Sequence, residues 1–359
     1  MKRMLCLLGA VLVLTLCAQA SELPKDLTRA MPERAGELLR GEDFSGTEGF
    51  TGGISSLLEK VSGQVGAILR QRVRGAASVL LVVILCGVVE GFQSGTEGGK
   101  TALFLPMVGA LSVTLLTAGS LDSLIGLGTE TIGELDAFSK ALLPTLAAAM
   151  AASGQVSAAA FQQVTTVFLV DLLINLIDGL LMPLVYLYIG VLTASACLPG
   201  GRLSALADGL KKVVTWLLTT ALLAFTVYLS VARVITGSAD GASVKVAKAA
   251  VSSVVPVVGS IIAEASETVL AGAGMLKNTI GVFGMLVILA SCAYPFLQLG
   301  IQYLLYKLTA FLAAAVGAPG LCKFIDGLGG AFGLVLGMTG SCAMLLLVSI
   351  LSSVAAVVP

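Results

Sequence analysis

Two polar stripes interrupt an otherwise apolar chain, and they hold most of the side chains placed for chemistry. Asp171, Asn175 and Asp178 stand at i, i+4 and i+7, so a helix through them carries all three on one face. Further on, Glu264, Glu267, Ala271, Gly274 and Asn278 share one helical face, with Lys277 beside them, while Ile262, Val269 and Leu276 lie on another. Carboxylates and amides are expensive in lipid, so each stripe is expected to face a bundle interior, a partner subunit or water. There they line a path for an ion or small solute, or dock a partner. For the first stripe a plainer alternative stays open: Asp178 ends a helix at the interface and Asp171 is paired internally.

Around these stripes the usual instruments of catalysis are missing. The chain has no histidine, which removes histidine bases, HExxH zinc sites, Cys-His nucleophile pairs and haem ligation together. Cys6 and Cys17 lie near the N-terminus, and Cys86, Cys197, Cys292, Cys322 and Cys342 stand singly in or beside apolar runs with no CxxC, so they read as small packing residues. No aspartate has the Gly-x-Gly-Asp context of an intramembrane aspartyl protease. The expectation is a chain that is not an enzyme and needs no cofactor or metal. With 21 basic against 21 acidic residues, nothing in the charge balance argues for nucleic acid.

Hydrophobic residues make up 57% of the chain and charged residues 12%, with a mean hydropathy of +1.00. That charge fraction is about half the usual one for a soluble domain. The fold class expected is therefore an all-α, polytopic integral membrane protein, its partner the lipid bilayer, with about seven to nine apolar segments and interfacial amphipathic helices.

The elements that position the stripes follow in order. Residues 1–20 have the parts of a signal peptide: Lys2 and Arg3, an apolar run from Met4 to Leu16, then Ala18-Gln19-Ala20 as the cleavage site. Leu16 argues against lipoprotein processing at Cys17. The mature N-terminus is thus expected outside the cytoplasm. Residues 21–53 are polar and Gly-rich and read as a flexible extracytoplasmic tail. Residues 54–75 place Ile54, Leu57, Leu58, Val61, Val65 and Ile68 at helical spacing before Arg70, Arg72 and Arg74, the pattern of an interfacial amphipathic helix; a helix docked on the protein's own body fits equally.

Residues 76–359 form the multispanning domain. Ala76–Phe92 and Thr101–Gly119 read as a hairpin of spans, each long enough for a core of about 30 Å. Leu121–Lys140 is an acidic amphipathic segment suited to an interfacial or extramembrane helix. Ala141–Ala152, with Pro144, is either a half-span or the end of the preceding helix. Ser157–Cys197, broken by Asp178-Gly179 and Pro183, is either two spans or one kinked helix. Arg202, Lys211 and Lys212 make the best cytoplasmic loop by the positive-inside rule. That rule conflicts with a leader that puts Arg70–Arg74 outside, and the leader is followed because the rule is statistical. A polar, broken segment at 237–278, with Pro256 and Gly259, precedes the last apolar runs, where Lys307 near mid-span needs a carboxylate or a watery surface.

From Ala239 onward the run ADGASVKVAKAA, then VVPVVGSIIAEASETVL, then LLYKLTAFL, with the leader and LLPTLAAAMAASGQVSAAAF earlier, resembles the stage III sporulation protein AE family. The likeness covers most of the chain after about Ala76. It implies a multi-pass membrane protein of an endospore-forming bacterium, made in the mother cell and set in the membrane around the forespore. It also implies a secretion-like channel complex with sister proteins of one operon and a forespore-side partner, needed for late forespore gene expression, with a separate ATPase supplying energy. Asp171 and Asp178 match no motif of that family.

The leading expectation is a non-enzymatic membrane subunit, with self-association left open, whose faces at Glu264, Glu267, Lys277 and Asn278 and at Asp171, Asn175 and Asp178 line a path or meet partners. The alternative is a secondary transporter or permease whose carboxylates bind an ion or small solute near the midplane.

Overall fold

The computed structural model describes residues 24–42, 44, 46–93, 101–198, 203–254, 259–316 and 319–354; over most of residues 229–269, and at a few other helical positions, only the backbone is described. The expected leader with its Ala18 and Ala20 lies outside these residues, as do the loop at 94–100 and Pro256. Among the described residues every regular element is helical. They are α1 (Lys25–Arg29), α2 (Glu33–Leu38), α3 (Gly46–Gln93), α4 (Thr101–Ala152), α5 (Val156–Leu176), a π turn (Ile177–Leu181), α6 (Met182–Cys197), α7 (Ser204–Val254), α8 (Gly259–Val316) and α9 (Pro319–Val354).

Apolar runs that read as separate segments in the sequence fuse into continuous helices. Six helices among the described residues are long and apolar enough to cross a membrane, against the seven to nine apolar segments expected. The acidic stretch 121–140 and the apolar stretch 141–152 both belong to α4, which tolerates Pro106 near its start and Pro144 near its end. Leu124, Ile125, Ile132, Leu135 and Phe138 are fully buried, so the amphipathic face packs inward rather than lying on a surface. Residues 54–75 likewise run without a break into Ala76–Phe92 within α3, packed on α8.

Of the two readings for residues 157–197, the single long helix is the one observed, continuous through a π turn. Pro183 lacks an N–H and its ring crowds the carbonyl four residues back, at Gly179. The π turn Ile177–Leu181 widens the helix at that point, and α6 resumes with Pro183 in its first turn. The connection from α4 to α5 is equally local. Gly154 adopts φ +88°, and Gln155 N–H reaches back to Met150 O at 3.0 Å, closing the helix end as a Schellman motif does.

At the centre α8 and α9 form an antiparallel hairpin, and glycines of α9 receive the aromatic residues of α8, ring atoms at Gly333 and Gly340 and the Tyr306 Cβ at Gly329. A Cβ at Gly329 would stand 3.1 Å from Tyr306, at Gly333 3.1 Å from Tyr303, and at Gly340 3.2 Å from Phe296. Small residues at this spacing let backbones approach closely, which is how helices pack tightly without a hydrophobic driving force between them. α3 runs parallel to α8, with Gly53 against Leu286 and Gly87 against Val316, and α4 runs antiparallel, with Leu142 against Gly284. α6 and α7 cover the other flank of α9.

The hairpin arrangement brings Gln93, Thr101, Cys197, Ser204, Val316 and Pro319, the ends of their helices, to one end of the bundle, called here the loop end. Near it Leu81, Leu85 and Val88 of α3, Val108, Leu111 and Leu115 of α4, and Leu304, Leu308 and Phe311 of α8 point outward and exposed. So much apolar surface needs lipid or protein over it. α8 has 58 residues, about 87 Å at roughly 1.5 Å per residue, well beyond a bilayer core of about 30 Å.

The described part of the expected flexible tail is ordered on the bundle. Leu27 and Ala35 are fully buried, α1 packs on α4 and α2 on α8. Lys60 Nζ donates to Leu38 O, capping α2, and Phe44 meets Phe283 edge-on at 5.1 Å. The segment is polar on average but presents a few apolar side chains at the right spacing, and the flank of α4 and α8 supplies the rest of their core.

Candidate functional site

The helix that carries the second polar stripe of the sequence also carries a buried one. Lys277, Ser291, Gln298, Gln302 and Thr309 of α8 fall on one face, within about a sixth of a turn of each other at 3.6 residues per turn, and all five are buried. Arg72 reaches this face from α3, its Nη2 donating to Gln298 Oε1. Tyr306, buried beside Gln302, stacks edge-on with Phe332 of α9 at 5.2 Å. Towards the other end, the Arg34 guanidinium of α2 sits 5.7 Å above the Tyr294 ring and 3.5 Å from Glu130 of α4.

The stripe thus ties α3 to α8 through Arg72 and Gln298, while Tyr306 and Tyr294 beside it meet Phe332 of α9 and Arg34 of α2. Each buried amide or guanidinium not fully matched costs about 1–3 kcal/mol, and Gln302 Oε1, Ser291 Oγ and Arg72 Nε have no hydrogen-bond partner among the described residues. Polar atoms left without partners add no stability, and what the row can supply is fixed register between helices or a polar path.

The sequence-derived residues divide. Glu264 and Glu267 lie on the helical backbone of α8, their side chains outside the described residues. Lys277 turns into the bundle while its neighbour Asn278 faces outward, so the two do not act on one surface. On the first stripe, Asn175 Nδ2 donates to Asp171 Oδ2 at 3.0 Å, and Lys140 of α4 lies 3.9 Å from Asp171 and 2.7 Å from Asp136. Asp171 and Lys140 are each 55% exposed, so this is a surface network holding α4 to α5, in line with internal pairing of Asp171. Asp178 opens the π turn on an exposed face. Lys307 does find a carboxylate, Asp326 of α9.

Gln298, Gln302 and Ser291 are neutral residues within apolar runs and do not stand out there as charged residues do. The spacing of neutral amides at multiples of about 3.5 on one helix was the available signal. Arg72, which with Arg70 and Arg74 fits the end of an interfacial or docked helix by its sequence, is brought inward by its contact with Gln298. Among the described residues no group of three or more His, Cys, Asp or Glu is close enough to hold a metal ion.

Comparison with known proteins adds an independent line. A curated relative, "Stage III sporulation protein AE" of Bacillus subtilis (strain 168), is 25% identical over 249 residues, 69% of this chain and 62% of the relative. The aligned stretch therefore spans less than two thirds of that relative's length. No solved structure matches. The family model for stage III sporulation protein AE matches residues 46–357, which takes in all six long apolar helices and the buried stripe of α8, and the chain belongs to that family.

Proposed function

We propose that the chain is a non-enzymatic, multi-pass membrane subunit of a sporulation channel or secretion-like complex, set in the mother-cell membrane around the forespore. In this reading it links the two cells with sister proteins of its operon and a forespore-side partner, and is needed for late forespore gene expression. Its N-terminus is extracytoplasmic after leader cleavage. The observation that carries the reading is the family match across every long apolar helix. The buried row on α8 supports it, because a part-buried arginine–amide contact that fixes α3 on α8 suits a scaffold of fixed shape.

Glu264 and Glu267 are assigned to partner docking or lumen lining. The test is replacement in the endospore-forming host, read by a late forespore reporter. Glu264→Leu and Glu267→Leu are expected to lower the reporter more than Glu97→Leu in the first hairpin loop; equal tolerance at the three positions removes the case for a working polar face. Reconstituting the protein alone addresses the transporter alternative: solute flux abolished by Glu264→Gln or Asp171→Asn would overturn the subunit reading.

A further inference from the structure

At the loop end, α6, α7, α8 and α9 leave a cavity of about 560 Å³ whose two sides differ in character. One side carries Lys211, Lys307, Lys323, Asp208, Asp326 and the Tyr188 hydroxyl; the other is apolar, with Leu192, Ala310, Phe311 and Ala314. Phe311 is 71% exposed, so the apolar side opens laterally into the same belt of outward-facing residues described above.

The charges do not cancel in place. Lys307 is committed to Asp326 at 2.5 Å, and the Tyr188 hydroxyl donates to Gly327 O at 2.9 Å. Lys211, Lys323 and Asp208 make no ion pair with a described residue, so the wall keeps three ammonium groups against two carboxylates, one positive charge in excess. Lys211 Nζ instead leans over the bare backbone of Gly330, where an added Cβ would lie 3.1 Å from both Lys211 Nζ and Tyr188 Oη. A side chain at that position would push the ammonium away. Two uncommitted ammonium groups therefore flank a cavity that continues into an apolar wall.

A ligand that satisfies both halves joins a negative head to a hydrocarbon tail. Basic pockets between membrane helices take anionic head groups for this reason, each lysine near the surface adding attraction while the tail fills the apolar flank. A free inorganic anion would leave the apolar wall unused. We propose that this cavity binds the head group of an anionic phospholipid, its phosphodiester held by Lys211 and Lys323 and an acyl chain lying along Leu192, Phe311 and Ala314.

The test uses the full chain purified in detergent, with retained and added lipid measured by native mass spectrometry. The probes are phosphatidylglycerol, phosphatidylcholine and inorganic phosphate. Expected is binding of phosphatidylglycerol at least about tenfold tighter than phosphatidylcholine, lowered about thirtyfold in the K211Q/K323Q double variant, at the usual contribution of a lysine near an anionic surface. Lys212→Gln, the same charge change on the exposed neighbour of Lys211, is expected to leave the affinity within about twofold. Ala314→Trp fills the apolar wall without touching charge and is expected to reduce phosphatidylglycerol binding too, which keeps the test valid if the double variant folds poorly. Unchanged binding in both the double variant and Ala314→Trp overturns the proposal, as does equal binding of the two lipids. Inorganic phosphate displacing phosphatidylglycerol at millimolar concentration would make this a soluble-anion site and overturn it as well.

Discussion

Lys307 Nζ of α8 and Asp326 Oδ1 of α9 stand 2.5 Å apart across the central hairpin, and the Tyr303 ring lies 5.7 Å from the same ammonium. The pair is partly exposed, so its worth is held down by solvent to about 1 kcal/mol. Lys307→Met alone and Asp326→Leu alone are each expected to lower the apparent Tm in detergent. The double variant is expected to recover most of the loss, because neither charge is then left without its partner. Additive losses would show that the two side chains act separately.

Arg72 and Gln298 make the corresponding test of the buried stripe. Gln298→Leu removes the acceptor while the guanidinium stays, and a hydrogen bond to a charged group of this kind is worth about 1.5–3 kcal/mol. We expect Gln298→Leu to destabilise by about that amount and R72L/Q298L by less. A double variant worse than the single would mean Arg72 has another role on this face.

Two glycines of α4 separate close packing from helix propensity. A Cβ at Gly128 would meet Val335 Cγ1 at 2.4 Å, whereas at Gly126 nothing lies within 4 Å. Gly128→Ala is expected to cost about 1–3 kcal/mol through overpacking of α4 on α9. Gly126→Ala is expected to raise stability by up to about 1 kcal/mol, since alanine favours the helix. Thermal unfolding of the two variants side by side checks the contrast.

The N-terminal segment is expected to be held down by its apolar contacts rather than by its charges. Leu27→Ala removes a fully buried side chain, for which losses run to about 2–5 kcal/mol, and here the effect is local detachment of residues 24–42. Glu130→Gln weakens only an exposed contact to Arg34 and is expected to change little. Hydrogen exchange over residues 24–42 distinguishes them: fast exchange is expected in the leucine variant alone.

Sidedness follows from the packing. Gly87 lies against Val316 and Leu192 against Gly327, so the helix ends at Cys197, Ser204, Val316 and Pro319 share one end of the bundle, while the turn at 153–155 lies at the other. In a chain whose native cysteines are replaced, single cysteines at Ser204 and Gly320 are expected to label from one side of the membrane and one at Ser153 from the opposite side. Labelling of Ser204 and Gly320 from different sides would contradict the bundle described.

The amino-acid sequence by itself determined that this protein is helical and apolar enough for a membrane, because composition and the length of apolar runs depend on no tertiary contact. It also determined the family, through the ordered motifs from Ala239 to Leu312, and the need of Lys307 for a counter-charge, since an ammonium in an apolar run has few alternatives. Only the tertiary structure decided how many helices those runs make. A charged stretch such as 121–140 ends a span by composition, yet stays helical when its apolar face, Leu124 to Phe138, is buried by neighbours. The same holds for residues 24–42, polar on average and ordered by a few leucines that find a ready surface. It decided as well which polar residues lie inside. Gln298 and Gln302 look unremarkable in sequence, and Arg72 looks like a surface cation, until the parallel packing of α3 on α8 brings Arg72 and Gln298 together. Pairing between residues so far apart in the chain is set by how helices pack, and a local pattern of residue types does not contain it.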